Sequence, residues 1–565
     1  MTAEPAAIGR AAVRAPRARR PWHPAAVIPA VLVSAIVLLP IATVVAIALS
    51  GSGADWPHLV ENVLPGSIRT TLLLLALVAI GSASIGVVSA WLVVSFDLPF
   101  RRTMSWALVL PLAVPPSLAA YAFAEFFHFA GPVQTALRSA FGLSRGDYWF
   151  PEIRSTWGAA VVMSSVLFPY VYLTARVVFI MQGRNIADVA RTLGASPARV
   201  FFKVLLPVAR PAIAAGTALA LMETLNDIGA SEYLGVRTLT FSVYSTWLNR
   251  GSLEGAAQIA TVMLVLVFAL LGAERWARRR QRFHGGRSTQ LRARPPRLPL
   301  AGWRGVTALA AVLLPVAAGF GIPLYVFGRY ASRRLEQLTD PALLQAFLTS
   351  VTAAAATAIL TVAAALLVVH AARFAGRRPV RMMTRLAALG YAMPGTVLAL
   401  GLLFSLAAID NAVDGSARQY LGISTGLLLT GSLAAIVLAC SVRFLALAES
   451  SIRSGLEKLP PHLDEAARSL GRTPLQSAFS VLLPLLGPAI FAGAVLVFVD
   501  TIKELSATIL LRPFGFNTLA TFVYENASRG VVEDGAIAAL LIIATALAPV
   551  ILLSRALMRD REAEL

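Results

Sequence analysis

Four carboxylates in otherwise apolar stretches are the residues of this sequence best suited to act on a ligand. Glu223 and Asp227 lie in METLNDIGASEYLG, and Asp500 and Glu504 lie in VDTIKELSATILL. A charge at the centre of a bilayer costs about 2.5–3.5 kcal/mol, so such groups face protein or water rather than lipid. In each pair the spacing of four residues puts both acids on one helix face. We predict that they line the outer end of a central path, partly neutralised by Lys503, where carboxylate oxygens suit a hard cation.

A structural role is the alternative for the same four acids. They would then mark an interface between helices and pair with basic residues such as Arg69 or Arg512. The sequence alone leaves both interpretations open.

Residue types that serve metal binding, nucleotide hydrolysis or covalent catalysis lack the spacing that these chemistries need. The six histidines form no H-E-x-x-H or other close ligand pattern, and the single Cys440 excludes an internal disulfide and a Cys-ligated zinc site. None of the lysines, Lys203, Lys458 and Lys503, follows glycine, so no G-x-x-x-x-G-K-[ST] phosphate loop exists. We expect no catalytic residue, no metal site and no cofactor in this chain, and therefore no enzyme.

Composition indicates an integral membrane protein. The chain has 565 residues, of which 57% are hydrophobic and only 14% are charged, which is not the balance of a soluble domain. Its net charge of +20 would suggest a nucleic-acid partner in a soluble protein. Here the basic residues follow the membrane topology instead, and we expect no nucleic-acid partner.

Twelve segments are long and apolar enough to cross a bilayer, which needs roughly 20 such residues per helix. Basic residues resist translocation, and most of them fall on the side of the N-terminus, so both termini are predicted to be cytoplasmic. The predicted spans lie near 26–49, 70–95, 104–128, 157–181, 206–229, 255–273, 305–327, 346–370, 384–408, 425–448, 484–510 and 535–554.

The order of the spans predicts an all-α membrane protein built from two tandem, parallel six-helix halves. The first half covers 26–273 and the second 305–554. A basic N-terminal tail at 1–25, an Arg- and Pro-rich linker at 274–304 and a C-terminal tail at 555–565 are predicted to lie in the cytoplasm.

An internal repeat supports this duplication. RTLGASPARVFFKVLLP at 191–207 and RSLGRTPLQSAFSVLLP at 468–484 share one layout, each between the fourth and fifth spans of its half. With six spans per copy, both copies enter the membrane in the same direction. The positions that match at an offset of 277 residues are Gly194 and Gly471, Pro197 and Pro474, Pro207 and Pro484, Pro211 and Pro488, and Ile213 and Ile490, while Pro115 and Pro394 match at nearly that offset.

Each polar insert is predicted to form two short helices on the cytoplasmic face. The first ends at Gly194 or Gly471, since glycine tolerates the left-handed conformation of a helix stop. The second begins with Ser196-Pro197 or Thr473-Pro474, a hydroxyl cap followed by proline at the first helical position.

These inserts resemble the EAA loop of the permease subunits of binding-protein-dependent ABC importers. The second copy matches with Glu465-Ala466-Ala467, Gly471 and Leu483-Pro484. The first departs from the pattern at Asp188-Val189-Ala190, where Val leaves less room than Ala, before Gly194 and Leu206-Pro207. The resemblance covers nearly the whole chain, because some of these importers have two fused six-helix permease domains. A plain solvated hairpin or a DNA-binding helix-turn-helix explains the matched Gly and Pro positions less well.

The resemblance implies that the loops dock on a separate ATPase. The residues that carry over to this role are Asp188, Ala190, Gly194, Pro207, Glu465, Ala467, Gly471 and Pro484. It also implies an ATPase dimer that binds the ATP, a periplasmic solute-binding protein and a place in the bacterial inner membrane. The region Met222 to Trp247 is similar to ferric-iron importer permeases, which implies Fe(III) as the substrate, with thiamine or another small solute as the alternative.

A secondary transporter is the alternative from another class. Twelve helices in two parallel halves also describe the major facilitator architecture, and Glu223 or Asp227 would then couple transport to protons. The basic loop usual in that class has only a faint counterpart in RFAGRRPVR at 373–381. Uptake driven by ATP and a second subunit, rather than by a proton gradient alone, distinguishes the importer.

Overall fold

The computed structural model describes residues 24–51, 53–144, 146–181, 194–279, 298–300, 302–375, 382–383, 386–460 and 463–559. Most of these residues are helical, and in them the one strand pairing joins β1 (Phe96–Asp97) to β2 (Leu298–Pro299) in parallel. Most of the predicted N-terminal tail (1–23), linker (280–297) and C-terminal tail (560–565) lies outside the described residues.

The fold class predicted from the sequence is confirmed. Ten helices of the described ranges are long and apolar enough to cross a membrane, or up to twelve if each of two bent helix pairs counts as one span. Helices dominate because a spanning segment must satisfy its backbone polar groups internally. We number the spans 1 to 12 in chain order.

In the first half, spans 1, 2, 4, 5 and 6 are helices and span 3 is a bent pair. Their bounds are Pro24–Ser50, Leu64–Ser95, Arg101–Ala113 with Pro116–Phe141, Thr156–Met181, Leu206–Asn226 and Leu253–Arg279. The second half also has six spans, but its bent pair is span 11, the fifth of that half. Spans 7 to 12 are Trp303–Ala331, Pro341–Ala375, Gly395–Leu421, Leu433–Lys458, Ala478–Leu485 with Gly487–Ile502, and Ala536–Arg559.

Shorter helices connect or subdivide the spans. Those of the first half are Trp56–His58, Leu59–Val63, Arg101–Ala107, Leu110–Ala113, Pro116–Phe127, Pro132–Phe141, Pro197–Val200, Phe201–Leu205, Gly229–Tyr233 and Leu239–Leu248. Those of the second half are Trp303–Val316, Ala317–Gly321, Ile322–Ala331, Leu335–Thr339, Ala388–Ala392, Leu463–Ser469, Pro474–Ser477, Ala478–Leu482, Leu483–Leu485, Thr508–Leu511, Leu519–Ser528 and Val532–Gly535.

The third span of each half is broken, although the sequence predicted it to be continuous. Val114 is extended (φ −100°, ψ 114°), and the two parts of span 3 meet at 97°. In the second half Met393 is extended (φ −78°, ψ 128°), and span 9 begins only at Gly395. The matched prolines Pro115 and Pro394 cause both breaks, since proline disfavours the helical conformation of the residue before it.

The first helix of each half packs against the other half as well as against its own. Span 1 packs against spans 8 and 9 of the second half, where Thr43 Oγ1 lies 2.8 Å from Ser405 Oγ. Span 7 packs against spans 2 and 3 of the first half, and Tyr330 donates a hydrogen bond of 2.7 Å to Glu125. Each half therefore completes its packing with a helix of the other.

Close helix packing in the first half depends on small residues. Spans 2 and 4 lie against each other over much of their length. A Cβ atom on Gly86 would stand 2.8 Å from the backbone nitrogen of Tyr172 and 2.9 Å from the carbonyl oxygen of Phe168. Because both are backbone atoms, the helices would have to separate to admit a side chain.

Replacing Gly86 with valine is expected to destabilise the protein by about 1–3 kcal/mol through overpacking. The measurement is the thermal unfolding midpoint and the folded yield in detergent. Gly66→Val is the matched control, because Gly66 lies on the same span and a Cβ atom there would have no other atom within 4 Å. Equal losses in the two variants would contradict the packing argument.

Candidate functional site

All four predicted acids line one cavity between the two halves. The cavity measures about 70 Å³, which is room for a few water molecules or a small ion. Its charged lining consists of Glu223, Asp227, Asp500, Glu504, Arg443 and Lys503. The sequence analysis found every one of these residues except Arg443.

The ends of spans 5 and 11 place the acids. Glu223 lies in the last turn of Leu206–Asn226, and Asp500 lies in the last turn of Gly487–Ile502. The prediction that Asp227 and Glu504 continue on the same helix faces is wrong, because both helices end before these residues. Asp227 is extended (φ −79°, ψ 120°), and its carboxylate accepts the Ala230 N–H at 2.7 Å. A short acidic side chain that bonds a nearby backbone N–H competes with helix continuation.

The Glu504 carboxylate accepts hydrogen bonds from four donor groups. Its carboxylate accepts hydrogen bonds from Arg443 at 2.7 Å, from the Ala507 N–H at 2.9 Å, and from the Thr508 N–H and hydroxyl at 3.0 and 2.8 Å. The residue is only 4% exposed. A buried carboxylate is stable when it is paired and hydrogen-bonded in this way, so Glu504 holds the start of the helix Thr508–Leu511.

Arg443 is the functional residue that the sequence analysis missed. It stands on span 10 and is 6% exposed. At the repeat offset of 277 residues its counterpart on span 4 is Val166, which lines the same cavity. A lone arginine in the apolar run LAAIVLACSVRFLALA was the available signal, since intramembrane charges mark functional sites. The two halves are therefore unequal at the cavity.

The remaining acids are held more loosely. Lys503 Nζ lies 2.7 Å from Asp500 Oδ1, as the sequence predicted for that lysine, and Tyr391 donates to Glu223 at 3.0 Å. In the part of the chain that the structure describes, neither Glu223 nor Asp227 forms an ion pair. Four carboxylates and two basic groups give the cavity a formal charge of −2.

The ion pairs proposed by the structural alternative do not form among the described residues. Arg512 instead contacts Glu525 at 2.5 Å, and Arg69 has no described ion pair with any of the four acids. Within the described ranges, no three His, Cys, Asp or Glu side chains lie close enough together to hold a metal ion.

The glycine turns of the two polar inserts have the predicted conformation. Gly194 has φ 81° and Gly471 has φ 85°, which is the left-handed region that glycine favours. Ser196 Oγ accepts the Arg199 N–H at 3.4 Å. In the second copy, Thr473 Oγ1 accepts the Gln476 N–H at 3.2 Å, and the Gln476 side chain accepts the Thr473 N–H at 3.0 Å. The predicted hydroxyl caps are confirmed.

The other docking residues are described only in part. Asp188 and Ala190 lie outside the described residues. Glu465 falls in the helix Leu463–Ser469, and Ala467 in the same helix is 6% exposed. Pro207 and Pro484 are each the second residue of a helix. A π-helical segment precedes each of these helices, at Phe201–Leu205 and Ala478–Leu482, a matched feature that the sequence analysis missed.

Replacing Arg443 with methionine is expected to destabilise the protein by about 3–5 kcal/mol, because Glu504 would be left buried and charged without its partner. The double variant Arg443→Met with Glu504→Gln should recover part of the loss. Thermal unfolding in detergent measures both. Arg418→Met is the control, since its ion pair with Asp414 is exposed and such pairs contribute about 0–1 kcal/mol. A small effect at Arg443 would show that the buried pair is not needed.

Three known transport permeases are similar to the chain, one of them over most of its length. It is similar to the Fe(3+)-transport system permease protein FbpB 2 of Haemophilus influenzae, with 25% identity over 491 residues, 86% of this chain and 89% of that protein. The molybdenum transport system permease protein ModB of Escherichia coli is 30% identical over 227 residues, 39% of this chain and 96% of that protein. The sulfate transport system permease protein CysT of Escherichia coli is 27% identical over 245 residues, 42% of this chain and 84% of that protein.

A family model decides the assignment. The model described as binding-protein-dependent transport system inner membrane component matches residues 82–283 and again residues 363–560. The two matches fall in the two halves, each beginning within the second span and ending at or just beyond the sixth. The chain therefore belongs to the family of inner-membrane components of binding-protein-dependent transport systems and carries two copies of the family's domain in tandem.

Proposed function

We propose that this chain is the permease of an ATP-driven importer that passes Fe(III) from a periplasmic binding protein to the cytoplasm. The similarity to an Fe(3+) permease over 86% of the chain supports this substrate. The matches to molybdenum and sulfate permeases cover only 39% and 42% of the chain, so they support the permease role more than a particular substrate.

The charge of the central cavity is the observation that carries the choice of a cation. Its formal charge of −2 attracts a cation and repels an oxyanion such as sulfate. Carboxylate oxygens are also hard ligands that suit a small, highly charged ion. A cavity of about 70 Å³ fits such an ion with a few water molecules.

The inequality between the halves supports a resting place for the ion on the side of the first half. On the side of the second half, Arg443 and Lys503 neutralise Glu504 and Asp500. On the side of the first half, Glu223 accepts only a neutral Tyr391 hydroxyl and Asp227 only a backbone N–H among the described contacts. The ion in this proposal therefore binds nearer to Glu223 and Asp227 than to the paired acids Asp500 and Glu504.

The two cytoplasmic hairpins are the proposed docking sites for an ATPase dimer that binds the ATP. The docking residues are Asp188, Ala190, Gly194, Pro207, Glu465, Ala467, Gly471 and Pro484. In this topology both termini lie in the cytoplasm and the binding protein delivers the ion on the opposite face. ATP binding draws the hairpins together and opens the spans outward, and hydrolysis resets them.

Neutralising Glu223 and Asp500 together, as Glu223→Gln with Asp500→Asn, is expected to lower iron uptake at least about tenfold, since a hydrogen bond or ligand contact to a charged group is worth about 1.5–3 kcal/mol. The assay is ATP-driven uptake of Fe(III) into vesicles that contain the permease, its ATPase and the binding protein. Two further assays test the alternatives. One measures uptake of thiamine in place of iron, and the other measures uptake driven by a proton gradient without ATP.

The ATPase should still copurify with this double variant, because the cavity lies away from the hairpins. Glu336→Gln is the matched control, as Glu336 is an exposed acid outside the spans. Unchanged iron uptake in the double variant would remove the cavity from the path. Uptake of thiamine but not iron, or uptake that needs only a proton gradient, would reject the proposed substrate or energy source.

Replacing Gly471 with valine should reduce ATPase copurification and ATP-driven uptake. A β-branched residue in the left-handed conformation costs roughly 1–2 kcal/mol, so the hairpin would refold locally. Gly471→Asn is the control, because asparagine tolerates this conformation and no atom lies within 4 Å of a Cβ there. The same pair of changes at Gly194 tests the first hairpin. Intact assembly in both valine variants would show that the hairpins do not dock the ATPase.

A further inference from the structure

Two tyrosines from equivalent positions of the two halves meet outside the acidic cavity. Tyr244 is the sixth residue of the helix Leu239–Leu248, and Tyr524 is the sixth residue of Leu519–Ser528. Their hydroxyl oxygens lie 3.2 Å apart. Because the two helices are repeats of each other, this contact lies at the boundary between the two halves.

The helices that carry these tyrosines are anchored in matching ways. Each follows a threonine cap, Thr238 or Thr518. The first N–H of one helix donates to Thr71 Oγ1 on span 2 at 2.9 Å, and that of the other donates to Ser350 Oγ on span 8 at 2.7 Å. The two hydroxyls are therefore presented by fixed elements rather than by loops.

A carboxylate completes the group. Tyr524 donates a hydrogen bond of 2.5 Å to Glu232, a residue of the short helix Gly229–Tyr233 that follows Asp227 in the chain. In the described part of the chain Glu232 forms no ion pair. The nearby Arg512 is already engaged by Asn517 and by Glu525, so it does not neutralise Glu232.

Two separations among these oxygens are hydrogen-bond distances that are also close to the spacing of neighbouring ligand oxygens on one small ion. Two oxygens bound at right angles to an octahedral cation at about 2.0 Å lie roughly 2.8 Å apart. The observed separations of 3.2 and 2.5 Å fall on either side of this value. Phenolate and carboxylate are hard oxygen donors, and tyrosine is a known ligand of iron in proteins.

We propose that Tyr244, Tyr524 and Glu232 form a second, outer binding site for Fe(III), from which the ion passes to Glu223 and Asp227. The proposal rests on the proposed function, since it takes the same ion as its ligand. Each phenol loses its proton to water as its oxygen binds the ion, and the bound ion bridges the two halves. Water or the binding protein's departing ligands fill the remaining coordination positions.

The test uses the full-length permease with its ATPase in lipid nanodiscs, titrated with ferric citrate. Iron bound by phenolate absorbs visible light through a ligand-to-metal charge-transfer band, which carboxylate ligands alone do not give. We expect this band in the natural protein, its loss in Tyr524→Phe and a large loss in Tyr244→Phe. In Glu232→Gln the apparent iron affinity should fall at least about tenfold.

Tyr330→Phe is the matched control, because Tyr330 also donates to a carboxylate, that of Glu125, but on span 7. Its band should equal that of the natural protein. Absence of the band in the natural protein, or its persistence in both Tyr244→Phe and Tyr524→Phe, would overturn the outer site.

The absorption band and the uptake assay separate this proposal from the proposed function. Glu223→Gln with Asp500→Asn should keep the band while it lowers uptake, which supports the outer site as a distinct one. Iron uptake without any band rejects the outer site and leaves the proposed function standing. A band without iron uptake in any vesicle preparation contradicts the proposed function while the outer site stands.

Discussion

A charge buried deep in a membrane protein must be paired, and Arg443 meets this constraint for Glu504 in the central cavity. Two backbone N–H groups and a threonine hydroxyl supply the remaining donors to Glu504, so this carboxylate is not available to a ligand in the observed state. Lys503 forms a similar ion pair with Asp500, but these two side chains are more exposed than Arg443 and Glu504. The surplus negative charge is thereby left on one side, at Glu223 and Asp227. The two halves contribute similar sides to the cavity. They differ because the second half has Arg443 where the first has Val166.

Broken helices make room for this arrangement. Spans 5 and 11 end beside the cavity, and span 9 begins there after Pro394. The Gly395 N–H donates to Asn226 Oδ1 at 2.6 Å, and Ser506 donates to the Asn226 carbonyl at 2.6 Å. Non-helical backbone at membrane depth is tolerated only where protein or water satisfies it, and these contacts provide that satisfaction across the two halves. Discontinuous helices of this kind commonly surround the substrate sites of transporters.

The sequence predicted best those features that depend on the conformational or solvent preference of individual residues. The glycine turns, the hydroxyl caps and the apolar spans follow from backbone and solvent preferences at each position, and they agree with the structure. The helix ends before Asp227 and Lys503 could not be predicted by counting, because they depend on side chains that bond the backbone just beyond. Arg443 could be recognised as an isolated charge, but Glu504 could not be recognised as its partner, since it lies just beyond the end of another span. The contact of Tyr244 with Tyr524 depends on how the two repeats face each other. The hydrophobic periodicity of the sequence does not predict that arrangement.

The contact of span 1 with the second half sets an order for biosynthesis. Span 1 packs on span 6 of its own half, but its other partners, spans 8 and 9, are translated only after the first half and the linker are complete. Until then the face of span 1 that contacts spans 8 and 9 lies in lipid, and the first half does not reach its final packing before the second is inserted. Joining both halves in one polypeptide guarantees equal numbers of each and keeps the late partners at a high effective concentration. Two separately made halves would have to find each other in the bilayer while each still lacked one helix of its final packing.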